Sequence, residues 1–293
     1  MQTFLTHAAL FVVSLIYAIT YNIIKFVTPV HIPPLALTGF RIVGAAVLFA
    51  VFHRLFVREP ITRREDWGRL LLCAFFGVVF NQICFVKGVS ITTPINASVI
   101  MINTPVMVLL ASAVLLGERL TRLKVLGVGL GAIGVFWLIG GMDFRLRAET
   151  VLGDLLILTN AASYGIYLVI VKPLLVRYRT VTVIQWVFLI GTVAIIPISW
   201  QGVQTIAWEG IPLFVWGSIA FIILGTTFLT YLLNGWALRR ADSSLVGFYV
   251  YLQPILTTLI AIWLNTDTLT PGKVGAILLI FAGVYLVSRK AVK

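Results

Sequence analysis

Long apolar stretches, separated by short polar connections, fill this chain almost from end to end. Each stretch is close to the ~20 residues with which an α-helix crosses ~30 Å of hydrocarbon, whereas membrane β-strands would be shorter and would alternate in polarity. The pattern predicts an all-α integral membrane protein with ten transmembrane helices. We place these helices at residues 5–27, 35–56, 68–88, 94–116, 122–140, 151–172, 182–200, 211–233, 243–264 and 271–289.

The second half of the chain repeats features of the first half at a constant offset of 149 residues. Pro105 recurs as Pro254 at this offset, and the acidic residue Glu118 recurs as Asp267. The dipeptide Gly-Val at position 134 also recurs, at position 283. An ordered set of matches at one offset indicates an internal repeat.

We therefore divide the chain into two repeats of five helices, residues 1–141 and 142–293. Because five is odd, the second repeat enters the membrane in the opposite sense, and we expect the two repeats to be inverted. Inverted repeats are typical of secondary transporters, whose halves exchange conformations around a site at the membrane midplane. A passive channel and a membrane receptor or scaffold without transport remain alternatives.

The composition supports a membrane location and the charges predict an orientation. Hydrophobic residues make up 60% of the chain, charged residues 11%, and mean hydropathy is +1.05. Sixteen basic residues fall on connections that are cytoplasmic if the N-terminus is cytoplasmic, and four fall on the other connections. The positive-inside rule then predicts cytoplasmic N- and C-termini in the plasma membrane, which is the inner membrane in a bacterium.

The net charge of +12 is explained by this topology, so we expect no nucleic-acid partner. Basic connections near the membrane surface are expected to contact anionic membrane lipid. The expected partner of the cavity is a small-molecule metabolite.

An ordered set of residues resembles the EamA-type module of the drug/metabolite transporter superfamily. In the first repeat the set is Gly88, Ala97, Pro105, the turn Gly117-Glu118-Arg119-Leu120-Thr121, and Gly127, Gly131 and Gly134. In the second repeat it is Ala237-Leu238, Pro254, Leu269-Thr270 and Gly283-Val284. The chain departs from the pattern at Thr266, where Gly is usual, and at Asp267, where Glu is usual.

The resemblance implies a ten-helix transporter of small metabolites, often an exporter of amino acids or related amphipathic or zwitterionic compounds. It also implies a central cavity built from helices 1 to 4 and 6 to 9. The substrate itself is not implied.

Polar side chains at membrane depth are the candidate substrate-binding residues, because burying such groups without a partner is costly. They are Tyr17, Lys25, Arg41, Asn81, Gln82, Asn103, Asn160, Tyr164, Tyr167, Thr227, Tyr231, Tyr249 and Gln253. Hydrogen bonds between helices are an alternative explanation for each neutral member. Lys25 and Arg41 have another alternative, in which the side chain snorkels to the membrane interface.

Arg41 is the most informative of these residues, because it falls inside the second apolar stretch among apolar neighbours. Mid-span acidic residues, the usual proton or cation relays, are absent from the sequence. Transport is then uncoupled, driven by exchange, or coupled to protons without such a residue. Since the charges at membrane depth are cationic, we expect a substrate with a carboxylate or another anionic group.

Pro105, Glu118, Pro254 and Asp267 are candidate structural or gating residues. The two prolines each remove a backbone hydrogen bond within an apolar stretch, which either kinks a helix or frees a carbonyl for a ligand. The two acidic residues precede the fifth and tenth helices, where carboxylates favour helix N-termini. Capping and gating both fit that position.

The chain offers no support for an enzyme, a cofactor or a metal site. His7, His31 and His53 lie on three separate segments, and no nucleotide-binding or hydrolase motif occurs. Cys73 and Cys84 are too far apart along one helix for a disulfide. The glycines of the fifth and tenth helices, including Gly275, favour close helix packing, either within the chain or in a homodimer.

Overall fold

The structure is a computed structural model that describes residues 2–117, 121–139, 148–238 and 243–288. Every regular element within these ranges is helical. The α-helices are α1 (Gln2–Val27), α2 (Pro34–Phe56), α3 (Glu65–Ala74), α4 (Phe80–Ile91), α5 (Pro94–Met101), α6 (Thr104–Leu116), α7 (Arg122–Ile139), α8 (Ala148–Arg177), α9 (Thr180–Gln204), α10 (Leu213–Ala220), α11 (Thr230–Leu238), α12 (Ser243–Trp263) and α13 (Pro271–Ser288). Two π-helical segments, Phe75–Val79 and Phe221–Leu229, join α3 to α4 and α10 to α11.

The helices have the length and composition of membrane spans. Six continuous helical stretches in the described ranges are long and apolar enough to cross a bilayer, and the bent pair of α5 and α6 makes a seventh. Shorter apolar helices cover Tyr251–Trp263 and Pro271–Leu286. An all-helical membrane protein is thus confirmed, while ten crossings and inverted repeats remain predictions.

Large apolar side chains cover the outside of the bundle. Val114, Val176, Leu213 and Trp263 are each at least 80% exposed. On a protein in water, an apolar surface of this kind would cause aggregation, whereas the hydrocarbon of a bilayer solvates it well. The exposed apolar surface therefore faces lipid.

Buried apolar side chains fill the bundle in two clusters. The first cluster includes Ile24, Leu37 and Ile95, and occupies the end of the bundle where α1 ends and α2 begins. The second includes Phe49 and Leu70, and occupies the end where α2 ends and α3 begins. We call these the α1–α2 end and the α2–α3 end.

The π-helical segments occupy corresponding places in the two halves of the chain. Residues 75–79, moved by the repeat offset, fall within Phe221–Leu229. A π-helical turn adds a residue to the local repeat and rotates the side chains that follow it. In the second segment the Thr227 hydroxyl donates to the Ile222 carbonyl, five residues earlier, at 3.1 Å.

The two prolines of the repeat act differently. Pro105 lies in the first turn of α6, directly after a break at which α5 and α6 meet at 41°. Pro254 lies inside α12, which continues through it from Ser243 to Trp263. The first proline therefore begins a new helix, and the second is accommodated within one.

The glycines of α7 and α13 pack these two helices against each other within the chain. A Cβ on Gly283 would lie 2.5 Å from the Gly131 nitrogen and 2.6 Å from the Gly127 carbonyl oxygen. A Cβ on Gly134 would lie 2.7 Å from Ile280. Gly275 differs from the sequence expectation, because a Cβ there would meet nothing within 4 Å.

We expect Gly283→Ala to destabilise the protein, because its methyl group would collide with the backbone of α7. Overpacking costs about 1–3 kcal/mol, which lowers the melting temperature by roughly 2–5 °C in a chain of this size. Gly275→Ala, on the same helix, should leave it unchanged or raise it, since Ala is the better helix former. Thermal unfolding in detergent checks both, and equal effects of the two changes would contradict the packing.

Candidate functional site

A cavity of about 200 Å³ lies between the two ends of the bundle. Its walls come from α1, α2, α4, α5, α8, α11 and α12, together with the break between α5 and α6. This volume is below the ~300–1,000 Å³ of pockets for drug-sized ligands, so the cavity suits a small solute.

Nine of the thirteen candidate binding residues line this cavity, although they are widely spread in the sequence. They are Tyr17, Arg41, Asn81, Gln82, Asn160, Tyr164, Tyr231, Tyr249 and Gln253. Four aromatic rings, four amides and one guanidinium therefore surround one space. The side chains provide flat apolar surface together with hydrogen-bond donors and acceptors.

Arg41 is the charged residue of the cavity wall. Its side chain is 5% exposed. The Nε–H donates to the Thr227 hydroxyl at 2.9 Å, and the guanidinium lies over the Phe85 ring at 5.5 Å from the ring centre. Nη1 is buried and has no hydrogen-bond partner. The arginine is therefore held inside the bundle and does not snorkel to the interface.

Asn81 and Asn160 connect α4 to α8 by a reciprocal pair of hydrogen bonds. The Asn81 amide donates to the Asn160 backbone carbonyl at 3.1 Å, and the Asn160 amide donates to the Asn81 carbonyl at 2.8 Å. Both amide nitrogens are thus committed to structure. The Asn160 Oδ1 atom, like the Gln82 Oε1 atom, is buried without a partner.

The aromatic side of the cavity is fixed by contacts between helices. The Ser14 hydroxyl of α1 donates to the Tyr249 carbonyl of α12 at 2.7 Å, and His7 Nδ1 lies 2.9 Å from the Tyr249 hydroxyl. Tyr164 stacks on Tyr167 with 5.8 Å between ring centres. These contacts set the positions of the rings without using their cavity-facing surfaces.

Three other candidates support the cavity from behind. Thr227 accepts the hydrogen bond from Arg41. Tyr167 packs beneath Gly77, where a Cβ would lie 2.4 Å from the tyrosine ring. Asn103 lies at the break before α6, and its amide donates to the Ile100 carbonyl at 3.3 Å. The positions of these three residues fit the alternative explanation, in which such side chains serve in structural hydrogen bonds and packing.

Lys25 lies outside the cavity, at the α1–α2 end. Its ammonium donates to the carbonyls of residues 90 to 92 at 2.8–3.4 Å. These carbonyls belong to the last turn of α4 and the residue after it, where helical hydrogen bonds run out and a cation is favoured. Lys25 therefore caps α4 and neither lines the cavity nor snorkels.

Several cavity residues are missing from the set chosen from the sequence. Phe85 lies four residues after Asn81, and Met101 and Ser98 occupy the same wall on α5. Tyr21, one turn after Tyr17, and Asn234 also contribute. A signal was present for Tyr21, Phe85 and Asn234, since each lies three or four residues after a chosen polar residue on the same helix. The choice favoured polar residues and so passed over Phe85 and Met101.

Asp267 closes the α1–α2 end with a set of bonds that we call the latch. Its Oδ1 atom lies 2.5 Å from Lys273 Nζ, and both side chains are at most 8% exposed. Its Oδ2 atom accepts from the Ile95 backbone N–H, in the first turn of α5, at 3.3 Å. The Asp267 carboxylate thus joins the connection between α12 and α13 to the N-terminus of α5.

A second buried carboxylate lies near the latch. Asp154 is fully buried in the second turn of α8 and accepts hydrogen bonds from the Thr92 hydroxyl and, at 3.2 Å, from the Asn96 amide. The sequence places Asp154 at the end of a span and gives no sign of this burial. The carboxylate ties α8 to the start of α5.

The α2–α3 end is organised by different polar contacts. Arg177 lies 2.6 Å from Asp66, whose carboxylate also accepts from the Tyr178 hydroxyl at 3.0 Å. A second cavity, of about 520 Å³, opens near this end and shares Tyr231 with the central cavity. Tyr231 therefore lies between the central cavity and the second cavity, in contact with both.

Of the candidate gating residues, Pro105 and Pro254 lie in α6 and α12, and Asp267 lies in the latch. Glu118 lies outside the described residues. Among the described residues, no group of three or more His, Cys, Asp or Glu side chains is arranged to hold a metal ion.

Comparison with known proteins identifies relatives over the whole chain. A family model described as the EamA-like transporter family matches residues 5–140 and 151–289. An uncharacterized transporter of Archaeoglobus fulgidus is 29% identical over 97% of this chain and 98% of the relative. A probable terminal-alkyne amino-acid exporter of Streptantibioticus cattleyicolor is 27% identical over 85% of this chain and 82% of the relative.

The fold is also found in solved structures. One crystal structure superposes with a TM-score of 0.63 at 19% identity, and the match covers 97% of this chain and 96% of that chain. At this identity the likeness concerns the fold alone.

The latch predicts a specific pattern of stability. Asp267→Asn leaves the buried Lys273 ammonium without its carboxylate, and breaking a buried pair in this way costs about 3–5 kcal/mol. The double change Asp267→Asn with Lys273→Met removes both charges and should recover a large part of the loss. Thermal unfolding of the two single variants and the double variant measures the coupling.

The matched control is the exposed pair of Arg63 and Glu65, whose side chains are 58% and 66% exposed. Glu65→Gln should change stability by no more than about 1 kcal/mol, because water screens this pair. Additive effects of the Asp267 and Lys273 changes would contradict the latch.

Proposed function

The chain belongs to the EamA-like transporter family, and we propose that it is a secondary transporter that exports small metabolites such as amino acids or related amphipathic or zwitterionic compounds. The observation that carries the proposal is the central cavity, in which aromatic rings and amides surround a buried guanidinium. The family and the names of the relatives describe transporters and not enzymes.

The cavity lining favours a small solute with both polar and apolar parts. Tyr17, Tyr164 and Tyr231 offer ring faces, while Asn81 and Gln82 belong to the amides on the wall. A few placed polar groups in a mostly apolar lining fix the orientation of a ligand. The amino-acid exporter among the relatives agrees with this class of solute.

The unequal ends of the bundle support alternating access. At the α1–α2 end, Ile24, Leu37 and Ile95 are fully buried and the latch joins α5 to the connection before α13. At the α2–α3 end, a second cavity of about 520 Å³ lies next to the central cavity, and Tyr231 lines both. We infer that the structure is a state closed at the α1–α2 end, and that transport reverses this asymmetry by rocking the two repeats.

The distribution of basic residues supports an orientation in the plasma membrane. By the positive-inside rule we expect the α2–α3 end to be cytoplasmic and the α1–α2 end to be external. The state is then inward-facing, which is the state in which an exporter loads its substrate.

A passive channel is the second candidate, and a receptor or scaffold is a third. A channel needs a continuous water path in its open state, whereas the α1–α2 end is filled by apolar side chains and held by the latch. A receptor or scaffold without transport does not require a polar cavity at this depth. The geometry therefore favours a carrier.

We expect purified protein in liposomes to take up labelled amino acids saturably, and faster when the liposomes are preloaded with unlabelled solute. Ser98→Phe adds a ring to the cavity wall and should abolish uptake. Val114→Phe adds a larger side chain on the lipid-facing side, at a position that is 83% exposed, and should leave uptake unchanged. Flux that rises linearly with concentration would support the channel.

Releasing the latch should open the external end. In cells, a cysteine introduced at Ser98 in a Cys73→Ala, Cys84→Ala background reports access to the cavity from outside. We expect Asp267→Asn to increase its labelling by a membrane-impermeant thiol reagent severalfold, because α5 is no longer tied to the connection before α13. Glu65→Gln is the control, and unchanged labelling in Asp267→Asn would argue against a gating role.

A further inference from the structure

We propose that the second cavity, at the α2–α3 end, is a binding site for one anionic phospholipid of the adjoining leaflet. One acyl chain of this lipid lies in the cavity, and its phosphate meets the Arg179 guanidinium. The inference rests on the membrane location of the chain and is independent of transport. It differs from a general contact between basic connections and anionic lipid, because it assigns one lipid molecule to one cavity.

The position of the second cavity gives it access to lipid. The cavity has a volume of about 520 Å³ and lies between the end of α2, the start of α9, and α11. Tyr231 lies at its inner side, since this residue also lines the central cavity. Phe56, the last residue of α2, also lines it and is 67% exposed. The cavity therefore extends from the interior of the bundle to a side chain on the lipid-facing surface.

The lining of this cavity is mostly apolar. Phe52, Phe56 and Trp236 contribute aromatic rings, and Ile184 and Leu232 contribute aliphatic side chains. The Phe52 and Phe56 rings lie against each other, with 4.8 Å between their centres. Water finds few hydrogen-bond partners on such walls, whereas a hydrocarbon chain packs favourably against them. The walls therefore suit an acyl chain.

Arg179 is the charged residue among the described residues that line the second cavity. It is exposed and directly precedes α9, at the end of the bundle. Its backbone N–H donates to Glu59 Oε2 at 2.9 Å, and the same oxygen accepts from the Thr182 hydroxyl at 2.5 Å. The ion pairs of the described residues do not include the Arg179 guanidinium. The backbone of Arg179 is thus fixed, while its guanidinium is available to an anion.

The charges at this end of the bundle favour an anionic ligand. Residues 54–69 and 172–179 contain eight basic side chains and three acidic ones. The three carboxylates already have partners, because Glu59 bonds the start of α9, and Glu65 and Asp66 pair with Arg177. Basic groups near a membrane surface attract anionic lipid, whereas a zwitterionic lipid carries a cation beside its phosphate and gains less.

The two parts of the site are arranged as the two parts of a lipid are. Arg179 lies at the end of the bundle and Tyr231 lies deeper, so the site runs from polar to apolar in the same direction as the lipids of the adjoining leaflet. A soluble anion would leave the apolar walls unused, and a neutral hydrocarbon would leave the guanidinium unpaired. An anionic phospholipid satisfies both parts with one molecule.

The test counts lipid molecules on the whole chain in detergent. Delipidated protein receives phosphatidylglycerol, phosphatidylcholine with the same acyl chains, or soluble glycerol 3-phosphate. Native mass spectrometry gives the number bound, and the ligand-dependent rise in melting temperature gives the affinity. We expect one phosphatidylglycerol to be retained, phosphatidylcholine to bind about 5-fold more weakly because its net charge is zero, and glycerol 3-phosphate not to bind at the same concentration.

Variants separate the headgroup contact from the chain contact. Arg179→Gln should weaken binding of phosphatidylglycerol about 5-fold and leave binding of phosphatidylcholine unchanged. Arg64→Gln, an exposed arginine at the same end and outside the cavity lining, is the matched control. Val181→Trp fills part of the cavity and should weaken binding of both lipids severalfold. Val176→Trp, at a lipid-facing position that is 88% exposed, is its control.

Each contrary outcome overturns a defined part of the proposal. Equal affinity for the two lipids would reject selection by charge, and equal losses in Arg179→Gln and Arg64→Gln would assign the attraction to the basic surface as a whole. Glycerol 3-phosphate that binds as tightly as phosphatidylglycerol would make this a site for free phosphate. The lipid comparison uses the unaltered protein, so it decides the proposal even if a variant fails to fold. Uptake by liposomes is a separate measurement, and its result leaves this inference unchanged.

Discussion

The constraint on which this structure depends is that a backbone in hydrocarbon must satisfy its own hydrogen bonds. Regular helices meet it along most of the chain, and irregular turns are tolerated only where protein surrounds them. The irregular turns here are the two π-helical segments and the break between Met101 and Thr104. Each adjoins the cavity or its supporting residues, so the departures from regular helix are what give the cavity its shape.

The buried arginine is held next to these irregular turns. The Thr227 hydroxyl donates five residues back along a π-helical turn and accepts from Arg41. Phe85 covers one face of the guanidinium, and its own helix begins directly after the other π-helical segment. A charge at this depth is costly, and the protein lowers the cost with one hydrogen bond and one aromatic face, while Nη1 stays buried without a partner.

Hydropathy was enough to predict an all-helical membrane protein, because span length depends on bilayer thickness and needs no knowledge of contacts. Nine candidate residues line the cavity for a similar reason, since polar groups such as Arg41 and Asn160 are costly to expose to hydrocarbon. Contacts between distant helices were not predictable. Lys25 was expected at the cavity or the interface and instead caps α4, and the burial of Asp154 depends on α5, which no local pattern identifies.

Parts of the cavity wall are related by the repeat offset, whereas the charge of the cavity is not. Gln82 and Tyr231 are related by the repeat offset, and both line the cavity, as do Thr104 and Gln253. Arg41 corresponds to the aliphatic Ile190, so the cation has no counterpart in the second repeat. In the exchange of conformations that we propose between the repeats, related parts of the wall would trade places while the charge stays on α2. A solute entering from either side would then meet the same guanidinium, even though the path to the cavity is different.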